Sequence, residues 1–154
     1  MPLSNLPGPW RWEVRNGLWW RIHDQLRIED GPHTWNELNV GLGGFGDAHG
    51  KVYDRQGEPI PIRVYEEYLA DPDYKIVQQD VFVYEGEPVQ VSTVWLGLDH
   101  NWWPHGPRKI FETMIFGGIH DLEQWRYDTE ENARHGHSEV VALLQLEQAN
   151  KEDP

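Results

Sequence analysis

The chain has 154 residues, no cysteine, and 13 lysines and arginines against 26 aspartates and glutamates, a formal charge of −13 with histidines neutral. That length suits one domain, and the missing thiols exclude disulfides, thiolate metal sites and cysteine nucleophiles. The charge opposes binding to phosphate backbones, so direct nucleic-acid binding is not expected.

Hydrophobic residues make up 38% of the chain, with nine Trp, six Tyr and four Phe among them, so a few large rings must carry the core. No run approaches the roughly 20 apolar residues of a membrane span, and residues 1–9 lack a basic start followed by an apolar stretch. A cytoplasmic protein without a membrane partner is the expectation.

From Trp10 to Ile22 the sequence alternates and is broken by Asn16-Gly17, the pair best suited to φ > 0 at both centres of a type I′ turn. The pattern predicts a Trp-rich β-hairpin in which Val14 faces Trp19 and Trp12 faces Arg21, with its Trp face packed on the main body. Arg11, Arg15 and Arg21 against Glu13 make this segment positive, so it should be drawn to the acidic remainder. From about Asp30 to Pro61, Gly, Asp, Asn and Pro are frequent and no period is sustained, which predicts mostly loop and turn.

Pro61 then opens a run in which Ile62, Tyr65 and Leu69 share one helical face, and Asp71-Pro72 ends it. Three β-type runs follow, Lys75 to Tyr84, Val89 to Leu98 and Lys109 to Phe116, the first two joined through residues 85–88. A short strand over Gln124 to Tyr127 precedes Asp128 and Glu131, which have the spacing of a capping box. In the helix beyond, Ala133, His137, Val140, Val141 and Leu144 form an apolar stripe that should lie across the sheet. The expected fold is α+β: an antiparallel meander packed with a short helix and a C-terminal amphipathic helix, preceded by the hairpin. One domain is expected, with residues 1–50 as an extension of a core over 52–147.

Candidate chemistry concentrates in the loop from Asp99 to Pro107, where Asp99, His100, Asn101, Trp102, Trp103 and His105 collect ionisable and aromatic groups between two strands. Glu112 on the adjoining strand is a further member. Asp99 beside His100 suits general acid or base work, but no nucleophile or metal completes a hydrolytic centre. The structural alternative has Asp99 and Asn101 bonding the turn while Trp102 and Trp103 close the core. Residues Gly41 to Gly46 have the spacing of a dinucleotide fingerprint without its strand and helix. His120 with Asp121, and His135 with His137, are further metal candidates, although two residues apart on a helix cannot share an ion. Ser92 and Thr93 lack a nucleophile elbow and read as strand residues.

The stretch Val91 to Asn101, followed by Ile110 to Phe116, resembles a group of small uncharacterised proteins encoded by bacteriophages and by related segments of bacterial genomes. The likeness runs from Val52–Ile60 through Asp71–Lys75 to Tyr127–Glu131 and Gly136-His137, covering about residues 52–142. Members carry a shorter Gly- and Pro-rich loop after the Asp-His-Asn, so Trp102 to His105 departs from the pattern. The resemblance implies a phage or prophage accessory protein that binds a host protein or captures a small, nucleotide-like ligand. No catalytic residue, metal or cofactor is assigned. A metal-dependent hydrolase built on Asp99 and His100, and an acidic nucleic-acid mimic, are the alternatives. An exposed strand edge or the hairpin would support a homodimer.

Overall fold

The computed structural model describes residues 8–39, 51–100 and 106–152. Strands β1 (Arg11–Arg15) and β2 (Leu18–His23) form the expected hairpin, with Asn16 at φ 53° and Gly17 at φ 74° in its turn. Val14 pairs with Trp19 and Trp12 with Arg21, the register that a two-residue turn dictates. A third strand, β3 (Ile28–His33), adds to β2 and completes a three-stranded antiparallel sheet.

This third strand corrects the expectation of loop from Asp30 onward. Gly31 and Pro32 read as loop residues, yet β3 lies at the sheet edge, where a proline need not supply a ladder donor on its open side. Three further short elements lie in the same stretch. Helix α1 (Trp35–Leu38) is capped by Thr34, whose hydroxyl accepts from the Glu37 N–H, and β4 (Val52–Tyr53) pairs with β5 (Pro59–Ile60). The Gly41 to Gly46 motif lies outside the described residues.

Helix α2 (Ile62–Ala70) follows Pro61 and buries Ile62, Val64 and Tyr65. Asp71 ends it and at once caps a one-turn helix, α3 (Pro72–Lys75), by accepting from the Asp73 N–H. A meander of β6 (Ile76–Tyr84), β7 (Glu87–Trp95), β8 (Phe111–Phe116) and β9 (Gln124–Tyr127) then forms a four-stranded antiparallel sheet in sequence order. The first turn is tighter than the expected four-residue connection: Glu85 (φ 51°) and Gly86 (φ 80°) alone join Tyr84 to its partner Glu87.

Helix α4 (Glu130–Glu152) closes the chain. Its cap is Thr129, whose hydroxyl accepts from the Asn132 N–H, while Asp128 accepts from the Asn132 amide. The expected Asp128 and Glu131 box is therefore displaced by one residue, because Thr129 itself offers a cap immediately before Glu130. The stripe is as expected: Ala133, His137, Val140 and Leu144 are buried against the sheet and Val141 is partly buried.

Cross-strand partners sort the sheet into two faces. Asp80, Phe82, Val89, Val91, Thr93, Thr113 and Ile115 face α4. Gln79, Val81, Val83, Gln90, Ser92, Glu112, Met114, Phe116 and Arg126 face the other way. Under α4 the core falls into two clusters. One gathers Tyr53, Tyr65, Val77, Trp95, Phe111 and Ala133, and the other Tyr84, Val89, Val91, Ile115, Val140 and Leu144. No helix among the described residues is long and apolar enough to cross a membrane.

The N-terminal sheet docks on the first cluster through Trp12 and Trp19. Glu67 of α2 fixes the contact. One carboxylate oxygen accepts from the Trp12 indole at 2.5 Å and the other pairs with Arg21, whose guanidinium also lies over Trp10 at 4.1 Å. Arg21 is buried whereas Glu67 is about one-third exposed, so solvent moderates the pair. Glu67→Ala should cost about 2–3 kcal/mol, by removing both the hydrogen bond to the Trp12 indole and the ion pair with buried Arg21. Denaturant unfolding followed by Trp fluorescence checks this, and Glu67→Gln should lose less, because its amide oxygen can still accept from the Trp12 indole.

Candidate functional site

Of the loop residues singled out by sequence, Asp99 and His100 are described, while Asn101, Trp102, Trp103 and His105 lie outside the described residues. Asp99 Oδ1 accepts from the Lys109 N–H at 2.9 Å, and the His100 N–H donates to the Lys109 carbonyl at 2.9 Å. Asp99 thus fastens the two ends of the β7–β8 connection, the turn-bonding role weighed beside the chemical one.

Glu112 lies on the face turned away from α4 and is 13% exposed; Arg126, its cross-strand partner on β9, donates from Nε to it at 3.0 Å. His100 sits within the field of this pair. Burial lowers the imidazole pKa, the Arg126 cation lowers it further, and the Glu112 and Asp99 carboxylates oppose both. His100 thus shares its electrostatic surroundings with Asp99, Glu112 and Arg126, the last of which sequence reading passed over. Only the β8–β9 register reveals that Arg126 stands opposite Glu112.

The same face carries apolar side chains. Val81, Val83 and Phe116 are 68%, 64% and 42% exposed, and Val81, Gln90 and Phe116 form one cross-strand row. Gln79 donates to Ser92 at 3.1 Å in the next row, beside Met114. The surface joins a half-buried carboxylate and guanidinium pair at one end to exposed aliphatic and aromatic groups at the other.

Beneath α4 lies a different polar assembly. Asp80 Oδ2 is 2.7 Å from His137 Nε2, His137 Nδ1 is 2.7 Å from Thr93 Oγ1, and Thr93 Oγ1 is 2.5 Å from Thr113 Oγ1. Carboxylate, imidazole and hydroxyl follow one another as in a hydrolase triad. The arrangement is inverted for that purpose. Thr93, Thr113 and His137 are fully buried, and only the Asp80 end, 46% exposed, meets solvent. A substrate carbonyl has no route to Thr93 Oγ1, so the assembly satisfies buried polar groups rather than attacking anything.

The remaining histidine pairs part ways. His135 projects outward to Glu139 at 3.0 Å while His137 points into the sheet, as their spacing on one helix requires. Asp121 accepts from the Gly117 N–H, whereas His120 lies between Glu123 (Nδ1, 2.9 Å) and Glu147 (Nε2, 3.1 Å). Among the described residues no group of three or more His, Asp or Glu is arranged to hold a metal ion.

Compared with protein-family models, with curated proteins and with solved structures, the chain matches none.

Two measurements follow from this geometry. In an NMR titration the His100 imidazole should take up its proton below the usual histidine value of about 6.5. Arg126→Gln should raise that midpoint, and Glu112→Gln should lower it further. The unfolded chain therefore binds the His100 proton first, and stability from this site is lost as pH falls from about 6.5 through the folded value. Separately, His137→Leu should cost about 2–4 kcal/mol, since it removes the buried bond to Thr93 and the half-exposed one to Asp80 with little change in volume. Thermal unfolding measures that loss.

Proposed function

We propose that the protein is a binding protein rather than an enzyme, of the accessory type that the bacteriophage resemblance implies. It engages a host protein through the face of the four-stranded sheet that turns away from α4, together with the segment from Asp99 to Pro107. The observation that carries the reading is the exposure of Val81, Val83 and Phe116 on the face turned away from α4, the face that also holds the Glu112 and Arg126 pair. Contiguous exposed apolar surface rimmed by polar groups marks interaction sites in soluble proteins. An extended sheet face suits a protein surface better than a small ligand, which prefers a concave, enclosing pocket.

Two further points support a non-catalytic role. The one carboxylate, imidazole and hydroxyl chain among the described residues is sealed at its hydroxyl end. Asp99, which stands beside the only imidazole in the loop region described, is engaged in closing the loop.

Photocrosslinking tests the reading. A photoreactive side chain at position 81, 83 or 116, introduced in the cells where the protein is naturally made, should yield one discrete adduct. The same group at position 135, on the outer face of α4, should not. Wild-type protein in excess should compete the adduct away, and protein carrying Val81→Ser with Val83→Ser should compete at least about tenfold less well. No adduct from any of the three positions, or equal competition by the double variant, would overturn the assignment.

A further inference from the structure

Helix α4 presents more than one apolar surface. Its stripe of Ala133, His137, Val140 and Leu144 is spent on the sheet, yet Leu143 and Leu146 on its flank are 63% and 60% exposed. They stand across from Trp125 of the edge strand β9, itself 38% exposed, and between them runs a groove of about 350 Å³. Its floor is formed by Ile115, Val140 and Leu144, which belong to the core or border it. His120, Glu123 and Glu147 form its polar rim. Both carboxylates are partly exposed, Glu123 at 54% and Glu147 at 39%, and Glu147 also accepts from the Tyr84 hydroxyl at 2.6 Å with Lys151 at 3.5 Å.

We propose that this groove between α4 and β9 docks a basic amphipathic helix of a partner protein. Leucine-like side chains at i, i+3, i+4 and i+7 enter between Leu143, Leu146 and Trp125, and lysines or arginines at its flanks meet Glu123 and Glu147. Charge decides the occupant. A second copy would bring the same rim carboxylates face to face and set two chains of −13 against each other, whereas a basic helix gains from both. The groove lies on the α4 side of the sheet, so this inference stands apart from the sheet-face reading and survives its failure.

The test uses the full chain and a synthetic peptide of about 15 residues with leucines on one helical face and lysines elsewhere. The peptide should bind, shift the NMR signals of the Trp125 indole and the Leu143 and Leu146 methyls, and weaken several-fold between about 50 and 300 mM salt. Leu143→Ser with Leu146→Ser should weaken binding at least about tenfold. Both side chains are exposed, so the fold should be unaffected. Glu123→Gln with Glu147→Gln should weaken binding and flatten its salt dependence, and Val81→Ser with Val83→Ser should leave it unchanged. Equal binding by a peptide of the same composition with its leucines scattered, or by the Leu143 and Leu146 variant, would overturn the proposal. So would concentration-dependent dimerisation that the same variant abolishes, since a second copy would then fill the groove.

Discussion

The His137 imidazole, held between Asp80 and Thr93, sets the position of α4 on the sheet. Hydrophobic contact alone is indifferent to sliding by a turn, but hydrogen bonds are not. Were α4 to slip along its axis, Val140 or Ala133 would face Thr93, and a buried imidazole would lose both of its partners. The cost of burying unpaired polar groups makes such a state unfavourable. The polar row lies between the two hydrophobic clusters and divides them, each on its own side of the Thr93 and Thr113 pair. Gly136 belongs to the same constraint. A Cβ there would overlap the Tyr127 ring, so the helix approaches β9 closely at Tyr127.

With α4 fixed over one face, the remaining surfaces acquire their character by default. The sheet is one layer thick, and its other side keeps aliphatic groups that a second helix would bury in a two-sided α/β arrangement. The helix is broader in its apolar character than the sheet can cover, which leaves Leu143 and Leu146 beside Trp125. Both surfaces arise from one long amphipathic helix packed on a sheet of only four strands.

Much of the fold was legible in the sequence because local rules and tertiary packing agree there. Asn16-Gly17 fixed the hairpin register through turn geometry, and the 3.6-residue period marked both α2 and the buried face of α4. What escaped was what local rules disguise. In β3, glycine, proline and acids imitate a loop, and the strand forms only because β2 offers a free edge. The candidate site divided in the same way. Asp99 and His100 stood out by composition, and Glu112 by its place on the neighbouring strand. Arg126 needed the strand register. Thr93, Thr113 and His137 looked like ordinary members of apolar runs, and their partnership exists only once helix and sheet are stacked.

The grip of Glu67 on the N-terminal sheet has a mechanical consequence. Its two oxygens take Trp12 and Arg21, which are direct partners across β1 and β2, so both attachments lie on one rung of the ladder. Two rungs beyond it, Val14 is half exposed while its partner Trp19 packs on the core, and Asn16 and Gly17 of the turn are exposed. The hairpin is therefore held along its middle rungs, by Glu67 at one and by Trp19 at another, and only its turn stands clear of these attachments. A tag or a short insertion at the tip would leave the clamp untouched, which makes that turn the natural place to attach a reporter without disturbing either apolar surface of the body.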